Sequence, residues 1–143
     1  MMNNDNSIDH STKLYGFIAE SAAPQRYAAV LNKLYKASGY NAMMIPMNIR
    51  EDDILFTLSQ MRSSKLSGVL ISSEYQEEAM SVVDDASLEA KSSGYADVIF
   101  VRDGKLHGDI ITSRALEAYA EHFDEDIALQ SVCQYFYDIT TGE

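Results

Sequence analysis

Apolar residues in this chain gather into short unbroken runs, and between the runs they recur every third or fourth position. Residues 13–19 hold Leu14, Tyr15, Phe17 and Ile18 almost without a polar break, which predicts a strand buried on both faces. Pro24 suits the first turn of a helix. Tyr27, Val30, Leu31, Leu34 and Tyr35 then follow at helical spacing, and Ser38-Gly39 closes the element. Residues 41–47 form a second apolar run. Residues 48–62 carry Ile54, Leu55, Leu58 and Met61 on one predicted helical face, and residues 68–71 read as a third strand. Strand and helix alternating at this spacing predict right-handed crossovers and a mainly parallel sheet.

The second half changes rhythm. Residues 74–80 and 84–93 read as short helices, the latter ended by Gly94. Asp103-Gly104 between the apolar runs 97–102 and 105–111 predicts a β-hairpin, because tight hairpin turns need positive φ. Thr112 opens a helix reaching His122. An acidic break, Asp124-Glu125-Asp126, leads into a last amphipathic helix over 127–137. The expected architecture is α/β: a three-layer αβα sandwich with a mainly parallel mixed sheet, one hairpin and a returning C-terminal helix. Residues 1–12 are polar and without periodicity, so a disordered lead is expected before a single domain over 13–143.

Composition narrows the function. A net charge of −11 with 11 scattered basic residues opposes nucleic-acid binding, which needs clustered Lys and Arg. No apolar run approaches the roughly 20 residues that cross a bilayer, and the N-terminus lacks the apolar core of a signal peptide. The single cysteine, Cys133, excludes an internal disulfide and fits a reducing, cytoplasmic setting. His10, His107 and His122 are too dispersed for a zinc site, so no metal is expected. His107 and His122 read as surface residues, and Tyr135, Phe136 and Tyr137 as helix packing rather than a ligand wall. The seven glycines never fall at Gly-x-Gly-x-x-Gly spacing, so no dinucleotide cofactor is expected either.

Five short stretches, in order, point to ancestry. They are Ser21-Ala22-Ala23-Pro24 after the first strand, Leu70-Ile71-Ser72-Ser73-Glu74-Tyr75-Gln76 at the end of the third, Gly94-Tyr95-Ala96-Asp97-Val98 before the hairpin, Gly108-Asp109-Ile110-Ile111-Thr112 after it, and Tyr137-Asp138-Ile139-Thr140-Thr141-Gly142 near the end. Together they resemble the N-terminal, substrate-binding domain of the shikimate dehydrogenase family. The resemblance runs from about Lys13 to Gly142. In that family the first stretch is Ser-x-Ser-Pro, whose hydroxyls hold the substrate carboxylate; here Ser21 is kept and the second serine is Ala23. The family's Asn-Val-Thr-x-Pro-x-Lys is met by Ser72 at the threonine and Gln76 at the catalytic lysine. Its Gly-Ala-Val-Asn-Thr places Asp97 where a substrate-binding asparagine is expected, and its Gly-x-Asn-Thr-Asp places Thr112 at the catalytic aspartate.

The resemblance therefore implies a kept scaffold with altered chemistry. Reduction of a keto acid needs a nicotinamide and a group that protonates the developing alkoxide. Neither Gln76 nor Thr112 titrates near neutrality, so no catalytic residue is assigned. Where the family carries an NADP-binding domain before its returning helix, this chain has only the short acidic break, so that domain is expected to be missing. Ser21, Ser72 and Asp97 remain the candidate ligand-binding residues. The bland readings are that Ser21 caps the next helix, Ser72 ends a strand and Asp97 is solvated beside the hairpin. With Glu74, Asp97 makes the site acidic, which disfavours a carboxylate ligand and suits an amine-bearing or metal-bridged one. The leading expectation is a module that binds a small polar metabolite or a protein partner without redox chemistry of its own. The rivals are the substrate half of a split NADP-dependent shikimate or quinate dehydrogenase, and a homodimeric interaction protein using apolar surface left by the missing domain.

Overall fold

The computed structural model describes residues 12–22, 27–111 and Gln134. Its elements in chain order are β1 (Lys13–Ala19), α1 (Tyr27–Ser38), β2 (Ala42–Asn48), α2 (Ile54–Ser59), β3 (Leu66–Ile71), α3 (Gln76–Ala79), β4 (Asp85–Ala86), α4 (Leu88–Ser93), β5 (Val98–Arg102) and β6 (Lys105–Asp109). Short 3-10 turns flank α2 at Glu51–Asp53 and Gln60–Ser63 and precede α3 at Ser73–Tyr75. The strands form one mixed sheet in the order β2-β1-β3-β5-β6-β4. β1 lies parallel to both β2 and β3, and β4 runs parallel to β6. The hairpin β5–β6 enters antiparallel to β3 through the pairing Leu70 with Val98.

Alternation along the central strands builds a core on each face. Tyr15, Phe17 and Ala19 of β1, Leu70 of β3 and Val98 of β5 pack with Leu31 and Tyr35 of α1. Ile18, Val69, Ile71 and Ile99 point the other way, onto Ile54 and Leu58 of α2 and Ala79 of α3. The expected three layers are present. The Tyr15 and Tyr35 rings meet at 5.7 Å between centroids, tying α1 to the middle of the sheet. On the opposite face Gly16 leaves room for its neighbours: a Cβ there would sit 2.7 Å from the Met47 sulfur and 3.1 Å from Val69 Cγ1.

Three local readings need correction. Leu55 is 48% exposed and does not share the buried face of α2. Positions 54, 58 and 61 lie within a narrow arc of the helix, whereas 55 is rotated about 100° from 54. The segment over 84–93 is not a single helix. Asp85–Ala86 pairs with His107 and Gly108 as a short strand, and the helix starts only after Ser87, whose hydroxyl accepts the Ala90 N–H at 3.1 Å. The helix predicted over 48–62 is broken into a 3-10 turn, a six-residue helix and a second 3-10 turn.

The β2 edge of the sheet is covered at its middle. The Asn32 side chain on α1 accepts the outward Met44 N–H at 2.6 Å and donates to the Met44 carbonyl at 2.8 Å. Two residues on, Pro46 faces the same way and has no N–H to offer. The helices expected over 112–122 and 127–137, and with them Thr112, Cys133 and the cluster at Tyr135, lie outside the described residues, apart from Gln134. That residue is helical and accepts a hydrogen bond from the Tyr40 hydroxyl.

Candidate functional site

In an open sheet whose strand order switches, ligands meet the carboxyl ends of the parallel strands. Here β1 and β3 end side by side, and β5 begins beside the end of β3. The chain leaves β1 into Glu20 and Ser21 and leaves β3 at Ser72. Main-chain bonds lock the three strands at this point: Ser72 N–H donates to the Ile18 carbonyl at 2.9 Å, and Ile71 N–H donates to the Asp97 carbonyl at 2.9 Å. The loop after β1 is held by Asn48, whose side-chain oxygen accepts the Ala22 N–H at 2.7 Å.

Glu74 joins these ends. One carboxylate oxygen accepts the Ser72 hydroxyl at 2.6 Å, and the other accepts the Glu20 N–H at 2.9 Å. The Ser72 hydroxyl holds the Glu74 carboxyl below the usual carboxylate range, against a smaller opposing effect of desolvation and with help from the Glu20 N–H. The next residue anchors the turn from beneath: Tyr75 is buried and its hydroxyl donates to the Ile49 carbonyl at 2.7 Å. Burial first, then the carboxylates of Glu20, Glu74, Glu51 and Glu78, push the Tyr75 phenol above its ordinary value.

Gln76 is committed to the scaffold. Its side-chain amide donates to the Ile71 carbonyl at 2.8 Å, and its own carbonyl accepts the Ala96 N–H at 3.1 Å. Asp97 is likewise built in. Only 6% of it is exposed, so the solvated reading fails. Its N–H donates to the Asp109 carbonyl at 3.1 Å, and its carboxylate accepts the Ile111 N–H at 2.8 Å, which fastens the far end of β6 to the start of β5.

A cleft of about 400 Å³ opens beside this junction, lined by Ser73, Glu74, Gln76, Glu77, Glu78 and Tyr95. Its three carboxylates face no basic side chain among those lining residues, so it offers hydrogen-bond acceptors and negative charge. Of the residues singled out from sequence, Ser72 and Asp97 meet at neighbouring strand ends and Gln76 lines the cleft. Ser21 stands exposed just past β1, and Ser21, Ser72 and Asp97 are outside the cleft lining. The sequence pattern did not single out Tyr95, or Glu74 as the link between two strands. The available signal was a serine and a glutamate two residues apart directly after a buried strand.

Residues 17–99 match the family model described as the shikimate dehydrogenase substrate binding domain. The chain belongs to that family. The shikimate dehydrogenase (NADP(+)) of Pyrococcus furiosus is 26% identical over 118 residues, a stretch covering 80% of this chain and 43% of that enzyme. Thus the chain spans less than half the length of this relative. Among solved structures, the shikimate 5-dehydrogenase of Listeria monocytogenes in complex with shikimate and NAD superposes with a TM-score of 0.73 at 19% identity, covering 82% of this chain and 41% of that one. The 5-ketofructose reductase of Gluconobacter sp. strain CHM43 gives a TM-score of 0.73 at 17% identity, covering 81% and 42%. These likenesses establish the fold. No helix among the described residues is long and apolar enough to cross a membrane.

Proposed function

We propose that this chain is a substrate-binding module that holds a small polar molecule where β1, β3 and β5 meet and does not itself transfer hydride. The observation that carries this reading is the state of Gln76. At the position matching the family's lysine stands an amide, tied by its nitrogen to the Ile71 carbonyl at 2.8 Å. An amide has no proton to exchange near neutral pH, so the family's acid–base step has no agent there. The binding half of the apparatus is better supported. Main-chain bonds pin the ends of β1, β3 and β5, and the cleft beside them, with Glu74, Gln76 and Tyr95 in its lining, has about 400 Å³, a size that takes a small metabolite.

Two assays test this reading. A thermal-shift panel of neutral, amine-bearing and acidic polyols, shikimate and quinate included, is expected to contain at least one stabilising member. A ligand at a hundred times its dissociation constant adds about 2.7 kcal/mol, a plainly visible shift. Absence of any stabilisation removes the small-molecule reading. The chain incubated alone with shikimate and NADP+ is expected to give no reduced cofactor, and turnover would restore the family reaction. Turnover only after a separate dinucleotide-binding chain is added would assign it instead to a split dehydrogenase.

A further inference from the structure

We infer that Glu74 fills, with its own side chain, a seat shaped for a carboxylate, and thereby sets the specificity of the site against acidic ligands. This deepens the proposed binding function and rests on it for its biological meaning. The seat itself rests on geometry alone. Two donors supplied by two different strand ends, the Glu20 N–H after β1 and the Ser72 hydroxyl after β3, converge on the two oxygens of one carboxylate at 2.9 and 2.6 Å. That is bidentate recognition of a carboxylate, one donor to each oxygen.

The backbone that carries both donors is held independently of the carboxylate, and only the Ser72 hydroxyl turns about its own side-chain bond. Ser72 N–H is fixed to the Ile18 carbonyl at 2.9 Å, and the Ser72 carbonyl accepts the Tyr75 N–H at 3.0 Å. Glu20 directly follows Ala19, whose carbonyl takes the Ile49 N–H at 2.9 Å. A seat pinned by main-chain bonds persists when the carboxylate leaves it, whereas a flexible glutamate arm can leave. While Glu74 is in place, an incoming carboxylate meets occupied donors and a like charge. A neutral or cationic ligand meets an acceptor. Glu74 is thus a specificity-determining residue: it supplies from the chain the negative group that a ligand would otherwise bring.

The test is an amide-resolved NMR titration of the ¹⁵N-labelled chain with shikimate, a carboxylate probe, and with its uncharged methyl ester. Wild type is expected to show no saturable response to shikimate at the Glu20 and Ser72 amides. Glu74→Ala is expected to bind shikimate there at least about tenfold more tightly than wild type, the scale of one charge-assisted hydrogen bond, with no matching gain for the ester. Equal shikimate affinity in the two proteins, or a well-dispersed Glu74→Ala spectrum with no response at those amides, overturns the inference.

A pH titration supplies a second check. Part of the Glu20 amide shift as pH falls is expected to follow the Glu74 carboxyl carbon and to vanish in Glu74→Gln, and a Glu20 amide profile unchanged by that substitution overturns the seat. The binding reading fails separately. A wild-type chain that takes no ligand of any charge removes the proposed function, whereas only the Glu20 and Ser72 amides decide the seat.

Discussion

At the scale of single residues, the site is a set of polar side chains whose hydrogen-bonding capacity is directed to the scaffold. Glu74 grips Ser72 and Glu20 N–H, Gln76 grips Ile71, and Asp97 grips Ile111 N–H. Removing the Ser72 hydroxyl takes away the largest influence that lowers the Glu74 carboxyl. Ser72→Ala should therefore raise its midpoint toward the ordinary glutamate value, read from the carboxyl carbon in an NMR titration. The sign follows for stability: a carboxyl depressed in the folded state stabilises above its unfolded midpoint, and that contribution is lost as pH falls through the folded midpoint. Asp97→Ala leaves the Ile111 N–H without its carboxylate acceptor and should cost about 1–3 kcal/mol in denaturant unfolding. Asp97→Asn keeps an oxygen acceptor and should retain most of that. The sequence showed which residue types stand at the ligand positions. It did not show that Asp97 is buried, because a lone aspartate before a hairpin reads equally well as solvated.

At the scale of elements, turn chemistry and strand edges carried most of the legible information. Asp103 and Gly104 have φ of 55° and 73°, the pair of positive values that a type I′ turn requires. Asp-Gly announced that turn in the sequence. Gly104→Ala should cost about 1 kcal/mol, measured by urea unfolding, because a Cβ is strained in the left-handed region although nothing crowds it. Gly16 is the opposite case, since its backbone is ordinary strand and the crowding comes from Met47 and Val69. Gly16→Ala should cost about 1–3 kcal/mol by overpacking, with Val69 less able to yield than the Met47 arm. The short strand β4 escaped the reading because two residues give no alternation to detect, and the helical spacing of residues 88–93 extended backwards over it. The capping of Met44 on the β2 edge by Asn32 also has no one-dimensional signature: it depends on α1 lying beside Met44.

At the scale of the molecule, alternating strands and helices predicted the layered α/β fold, and the motif order predicted the family. The strand order and the antiparallel entry of β5 came only with the structure, because pairing partners distant in sequence leave no local trace. Carboxyls depressed by specific partners in the folded state have a whole-molecule consequence. The Asp84 carboxyl is held low first by the Leu106 N–H and also by the Arg62 guanidinium at 3.2 Å, and Asp85 by the Ala86 N–H and then Lys91. With Glu74, these groups favour the folded state while ionised. Thermal stability should fall as pH drops through and below the ordinary carboxylate range, and a melting temperature flat down to that range and beyond would contradict the assignment.

The central claim is that a small polar molecule is held where β1, β3 and β5 meet. The most direct measurement is an amide-resolved NMR titration of the wild-type chain with neutral and amine-bearing polyols, following Ser21, Ser72 and Asp97 at the strand ends and Glu74 and Tyr95 in the adjoining cleft. At least one of these molecules should produce saturable shifts centred on those amides. If every compound leaves all of them unmoved at millimolar concentration, the chain is not the binding module described.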